Sequence, residues 1–280
     1  MRASMRPITL GRVVETVYLS ESQGDLDGSL LQEKYGVSQR RAKEILNEVV
    51  RMGLLQGVAD QFQPTSLGKD LTIAVRKGAW EQVHQVLLEY TFYSDFYKTL
   101  VQYGPIEPKQ LLPHLKETPS SFNQTSLSVL CDWVERVGSA QRNVFTNVYY
   151  PVYAMTAPML PEFLCVYGEL NTRAGASLHQ RYVEIPKIRE LVCERLKIRR
   201  RDFNEEFLRL YRNNIGTIEL SGAPITTHAK ATSKHIKSLI FTEMPDEITM
   251  KLTSERFLKG VVCDSKQYYF VAIHGGDIIE

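Results

Sequence analysis

The stretch from Tyr35 to Leu55 constrains the fold more than any other part of the chain, because it specifies one helix at both ends and on both faces. Ser38 is placed to cap the start, its hydroxyl accepting from an amide otherwise left unpaired in the first turn. Ala42, Ile45, Leu46, Val49 and Val50 recur at helical spacing and form one apolar stripe. Gly53 falls where a helix ends in a left-handed residue. The opposite face carries Gln39, Arg40, Lys43 and Asn47, side chains suited to phosphates and base edges. A rod apolar on one side and polar on the other must lie on a platform and present its polar side to solvent.

The flanking sequence supplies that platform. Apolar residues from Ile8 to Leu19 (Val13, Val14, Val17, Tyr18) predict a first helix, and the polar run Ser20–Asp27 a loop. Leu30, Leu31 and Tyr35 mark a short helix stopping at Gly36. After the helix over 38–52, residues 54–58 and 62–65 predict two short strands around a polar turn, and Ser66-Leu67-Gly68 opens a helix in which Leu71, Ile73 and Val75 pack. This order over residues 8–75 resembles the winged-helix version of the helix-turn-helix. The resemblance implies a second helix that enters a DNA groove and a hairpin whose tip lies over the neighbouring backbone.

Residues 79–103 predict a long aromatic helix (Trp80, Tyr90, Phe92, Tyr93, Phe96, Tyr97, Tyr103), whose spacing favours core packing over base stacking. A short helix around Leu111–Leu115, a longer one over 123–137 ending at Gly138, and a wing hairpin over 144–153 follow. Helices are then expected over 158–173, 185–196 and 201–213, with a linker at 175–180. A strand at 217–220 should pair with 267–273 across a long polar stretch, Ser221 to Lys266. The pattern Val37, Ala42, Ile45, Val49, Gly53 superposes on Phe122, Leu127, Leu130, Val134, Gly138. Shifted further, it places Val37, Ala42, Leu46, Val49, Val50 and Gly53 on Ile198, Phe203, Phe207, Leu210, Tyr211 and Asn214, Asn being the next-best left-handed cap. The fold class expected is mainly α with short β-hairpins (α+β), as tandem winged-helix domains: 1–78, a central 79–157, and 158–280 with a long basic loop.

Composition removes several function classes. The net charge of +2 is near neutral, so any basic surface is local. The four cysteines (Cys131, Cys165, Cys193, Cys263) form no C-x-x-C pair, which suggests neither zinc nor a disulfide scaffold and makes a reducing cytoplasm the expected location. No run is apolar enough to span a bilayer, and no signal-peptide core opens the chain, so no membrane partner is expected. A glycine-rich phosphate loop, G-x-S-x-G and H-E-x-x-H are all absent, and the six histidines are dispersed; no catalytic, metal or cofactor site is expected.

The expected DNA contacts are therefore Ser38, Gln39, Arg40, Arg41, Lys43 and Asn47, then Arg199, Arg200 and Arg201, then Lys230, Lys234 and Lys237 of the basic loop. Arg and Asn/Gln can contact guanine and adenine through paired bonds, while Glu44 and Glu48 on the same helix would repel phosphates. The run Arg195–Arg201, five basic residues in seven, admits two readings: a phosphate site, or a solvated turn paired with Glu194, Asp202, Glu205 and Glu206. The segment Asn123-Gln124-Thr125 is almost without cations and reads as a packing or protein-contact module. The partner expected is double-stranded DNA, in transcription regulation or in a DNA-processing or defence complex. The alternative is a winged-helix protein-interaction scaffold, an adaptor subunit that never touches DNA, with Tyr149, Tyr150 and Tyr153 in an interface core. The aromatic helices of the central region also offer a surface for a homodimer.

Overall fold

A computed structural model describes residues 4–24, 26–58, 61–173, 182–222, 237–239, 250–252, 257–274 and 278–279. The chain is mainly helical with small antiparallel sheets, an α+β protein, and divides into two compact units. Among the described residues no helix is long and apolar enough to cross a membrane.

The first unit comprises Met1–Ala140 with Ser238–Lys251. Helices α1 (Leu10–Gln23), α2 (Gly28–Tyr35) and α3 (Gln39–Arg51) lead into the hairpin β1 (Leu55–Val58) and β2 (Gln61–Pro64), then α4 (Ser66–Arg76). Val13, Val14 and Val17 of α1 are buried, and α1 packs against α3, α4 and β2. The expected loop at Ser20–Gln23 is instead the last turn of α1. Its polar side chains find tertiary partners: Ser20 donates to the Phe62 carbonyl, and the Glu21 carboxylate accepts from Thr72 and Arg76 at 3.1 and 3.2 Å. In α4, Leu71 and Val75 are buried but Ile73 is largely exposed, against expectation. Gly68 explains the Ser-Leu-Gly run: a Cβ there would stand 2.2 Å from the Leu54 carbonyl oxygen, so only glycine lets α4 seat against the start of β1.

The aromatic stretch is two helices, α5 (Trp80–Leu88) and α6 (Thr91–Tyr103). Tyr90 between them is extended (φ −85°, ψ 114°), and the break aims its buried hydroxyl at the carboxylate of Glu48. Tyr90, Phe92, Tyr93 and Phe96 are buried beside Trp133. Helices α7 (Pro108–Leu115) and α8 (Gln124–Val137) complete the helical part; Asn123 and Ser126 cap α8 reciprocally. Gly36, Gly53 and Gly138 all adopt left-handed φ (60°, 73° and 71°) at helix ends.

The second unit comprises Gln141–Lys237 with Leu252–Glu280. The hairpin β3 (Ala140–Arg142) and β4 (Tyr149–Pro151) starts earlier than the expected 144–153, whose first residues form the tip. Helix α9 (Leu160–Arg173), strand β5 (Val183–Glu184), α10 (Ile185–Leu196) and α11 (Arg200–Asn213) follow. As expected, β6 (Ile218–Gly222) pairs antiparallel with the far strand, here β10 (Lys266–Ile273), which also pairs β5 and β9 (Val261–Cys263). Two further short strands, β7 (Lys237–Leu239) and β8 (Met250–Leu252), pair with each other, and all but their end residues Lys237 and Leu252 belong to the first unit. Phe163, Ile188, Phe203, Phe207, Leu210 and Val271 centre the core. Asn214 corrects the repeat: at φ −130° it is not left-handed, and its buried side chain instead donates to the Leu210 and Ile279 carbonyls.

Candidate nucleic-acid interface

Helix α3 is built as its residues require. Ser38 is extended and its hydroxyl accepts from the Arg41 amide at 3.3 Å. Ala42, Ile45, Leu46 and Val49 are buried against neighbouring helices. Gln39, Arg40, Lys43 and Asn47 are exposed, Arg40 with 88% of its side chain accessible. Ser38 is exposed as well, while Arg41 is half-buried.

The two acidic residues of α3 do not stand free on that face. Glu48 is buried: Tyr90 and Arg51 both donate to its carboxylate, and Arg51 also donates to the Ser4 carbonyl at 2.9 Å. Burial first, and the Glu48 charge second, push the Tyr90 hydroxyl far above its ordinary pKa, so it remains a donor. Glu44 accepts from Arg41 at 3.0 Å, with the Arg40 guanidinium 3.5 Å away. Arg41's hydrogen bond, then the charges of Arg6, Arg41 and Arg40, hold the Glu44 carboxyl below the usual range. The exposed ridge of α3 therefore carries Arg40, Lys43 and the amides of Gln39 and Asn47.

Arg6 was not foreseen in the sequence. The segment before α1 is anchored by its carbonyls: Ser4 accepts from Arg51, Pro7 from Arg41, and Ile8 from the Trp133 indole at 3.1 Å. That anchoring lays the backbone around exposed Arg6 along α3, and the Arg6 charge helps to lower the Glu44 carboxyl. The partners of these carbonyls lie 34 to 125 residues away, so no local pattern announces them. For Glu48 a signal existed: it falls at helical spacing among Ile45, Val49 and Met52, inside the apolar stripe.

The basic run of the second unit is built differently. Arg200 is almost fully buried, its guanidinium donating to Glu190 at 2.5 and 2.6 Å and to the Arg142 carbonyl, and lying over the Phe257 ring at 3.9 Å. This removes Arg200 from any outer surface. Glu190 is itself wholly buried and also accepts from the Val144 amide at 3.1 Å. Arg201 is exposed but faces Glu205 at 2.9 Å, and Arg195 faces Glu162 and Glu169 at 2.9 and 2.7 Å. Arg199 is exposed at the start of α11. Lys230 and Lys234 lie outside the described residues, as do His228 and His235; Lys237 begins β7. Among the described residues no His, Cys, Asp or Glu cluster could hold a metal ion. No family model, no curated protein and no solved structure matches this chain.

Proposed function

We propose that this chain binds double-stranded DNA through tandem winged-helix domains, as a regulatory or DNA-processing subunit of the cytoplasm, with α3 as its reading helix. Gln39 and Asn47 reach base edges, Arg40 and Lys43 neutralise phosphates, and the β1–β2 hairpin lies beside the backbone. One observation carries the reading: the four polar side chains of α3 are exposed while Glu48 is buried and Glu44 is held by arginine. The order helix, helix, hairpin also occurs as α2–α3–β1–β2 and α7–α8–β3–β4, while after α10–α11 strand β6 pairs with the distant β10 and forms no hairpin with it. The test is fluorescence anisotropy with a short mixed-sequence duplex. Binding should weaken by about tenfold or more between about 50 and about 200 mM salt. Lys43→Glu should abolish it without changing the thermal midpoint; retention of full affinity would contradict the assignment.

A second reading is favoured by the second unit, where the surface arginines Arg195, Arg201 and Arg209 each face a carboxylate. Such a surface suits a protein-interaction scaffold better than a phosphate backbone. A stoichiometric protein partner, with no duplex retained at low salt, selects it.

A further inference from the structure

Glu44 occupies an unusual place on the exposed side of α3. Its carboxylate, about a quarter exposed, meets Arg41 Nη1 at 3.0 Å and Arg40 Nε at 3.5 Å, with Arg6 nearby on the anchored N-terminal segment. Arg41 is fixed from behind, because its other terminal nitrogen donates to the Pro7 carbonyl. Arg40 is fixed by nothing comparable and is almost fully exposed. Two guanidinium groups of α3 thus meet one oxyanion, and Arg6 directly precedes the Pro7 carbonyl that holds Arg41. Guanidinium forks bind carboxylate and phosphate oxygens with the same geometry.

We propose that Arg6, Arg40 and Arg41 form a phosphodiester-binding cradle, and that Glu44 fills it in the free protein and is displaced by a backbone phosphate on binding. This rests on the nucleic-acid reading of α3 and adds a device to it. The internal carboxylate lowers affinity for any arbitrary polyanion, because each phosphate entering must first compete with a tethered anion. A duplex whose bases also satisfy Gln39 and Asn47 has affinity to spare for that cost, so Glu44 raises the threshold for binding by charge alone while leaving the preference between sequences to Gln39 and Asn47.

The experiment compares wild type, Glu44→Gln, Arg6→Ala and the double variant, titrated with one short duplex at several salt concentrations. Glu44→Gln keeps the side-chain shape at a part-exposed position, and a thermal melt checks that it folds. The expected result is affinity raised about fivefold at low salt, with the salt slope steeper by about one phosphate equivalent. Arg6→Ala should lower affinity more in the Glu44→Gln background than in wild type, since only there is Arg6 released to the ligand. Should wild type bind while Glu44→Gln binds equally or more weakly with the same slope, the cradle is wrong and the reading of α3 stands. Binding by neither protein overturns both.

Discussion

Helices α3 and α11 each follow a shorter helix and lead into a strand, yet they treat their charges differently. By sequence the stretch from the end of α10 to the start of α11 is the more basic, with Arg195, Lys197, Arg199, Arg200 and Arg201. By structure Arg195 and Arg201 face carboxylates, Arg209 faces Glu206, and Arg200 is a core residue. In α3 the buried partner is the carboxylate of Glu48, Arg40 and Arg41 share the single part-exposed Glu44 at 3.5 and 3.0 Å, and Gln39, Lys43 and Asn47 are exposed. The density of arginine along a chain thus says little about how much positive charge a ligand can meet. What decides it is how the carboxylates are shared: in α3 two guanidinium groups divide one Glu44, whereas Arg201 and Arg209 each have a carboxylate of their own one helical turn away.

The strongest break of the comparison is at Glu190. Glu190→Ala leaves the buried guanidinium of Arg200 without its carboxylate and should cost the second unit about 3–5 kcal/mol, read by chemical denaturation. The same substitution logic at α3 gives a binding change instead. Lys43→Ala with Asn47→Ala should weaken duplex affinity about tenfold and leave the melting midpoint in place. Arg201→Ala with Arg209→Ala should change affinity less than about twofold, because both guanidinium groups are already paired at the surface. Equal losses from the two pairs would erase the distinction drawn between the helices.

Two smaller effects sharpen it. Ser38→Ala removes the side-chain cap of α3 and should cost about 1 kcal/mol, whereas Arg199 at the start of α11 makes no such side-chain bond to lose. The smallest concerns His84, buried with its Nδ1 2.8 Å from the Tyr93 hydroxyl. Burial lowers its pKa, with Glu81 opposing. A depressed histidine pKa favours the neutral ring in the fold. Its contribution is complete above the unfolded value near about 6.5 and fades as the pH falls toward the folded value. Denaturation midpoints in acid should therefore fall further in wild type than in His84→Gln.

The local chemistry of α3 was legible in the sequence: the Ser38 cap, the buried stripe and the left-handed Gly53 follow from spacing and residue type alone. The β1–β2 hairpin, the β6–β10 pairing and the left-handed Gly138 were legible for the same reason. What could not be read were pairings made at a distance. Glu48 looked like a repulsive surface charge because its partner Tyr90 comes 42 residues later, at a break between α5 and α6. Arg200 looked available because Glu190, ten residues back, lies on a different helix across a turn. Asn214 has the residue type of a left-handed cap but is recruited by the Ile279 backbone. Arg6 enters the site only because three carbonyls before α1 are taken up by Arg41, Arg51 and Trp133.

Hydrogen exchange of the full chain with and without a short duplex separates the exposed polar ridge of α3 from the carboxylate-paired arginines of α11. Exchange should slow over Gln39–Asn47 at low salt, with the protection lost at high salt and α11 unchanged. Protection centred on Arg199–Arg209, with α3 unaffected, contradicts it.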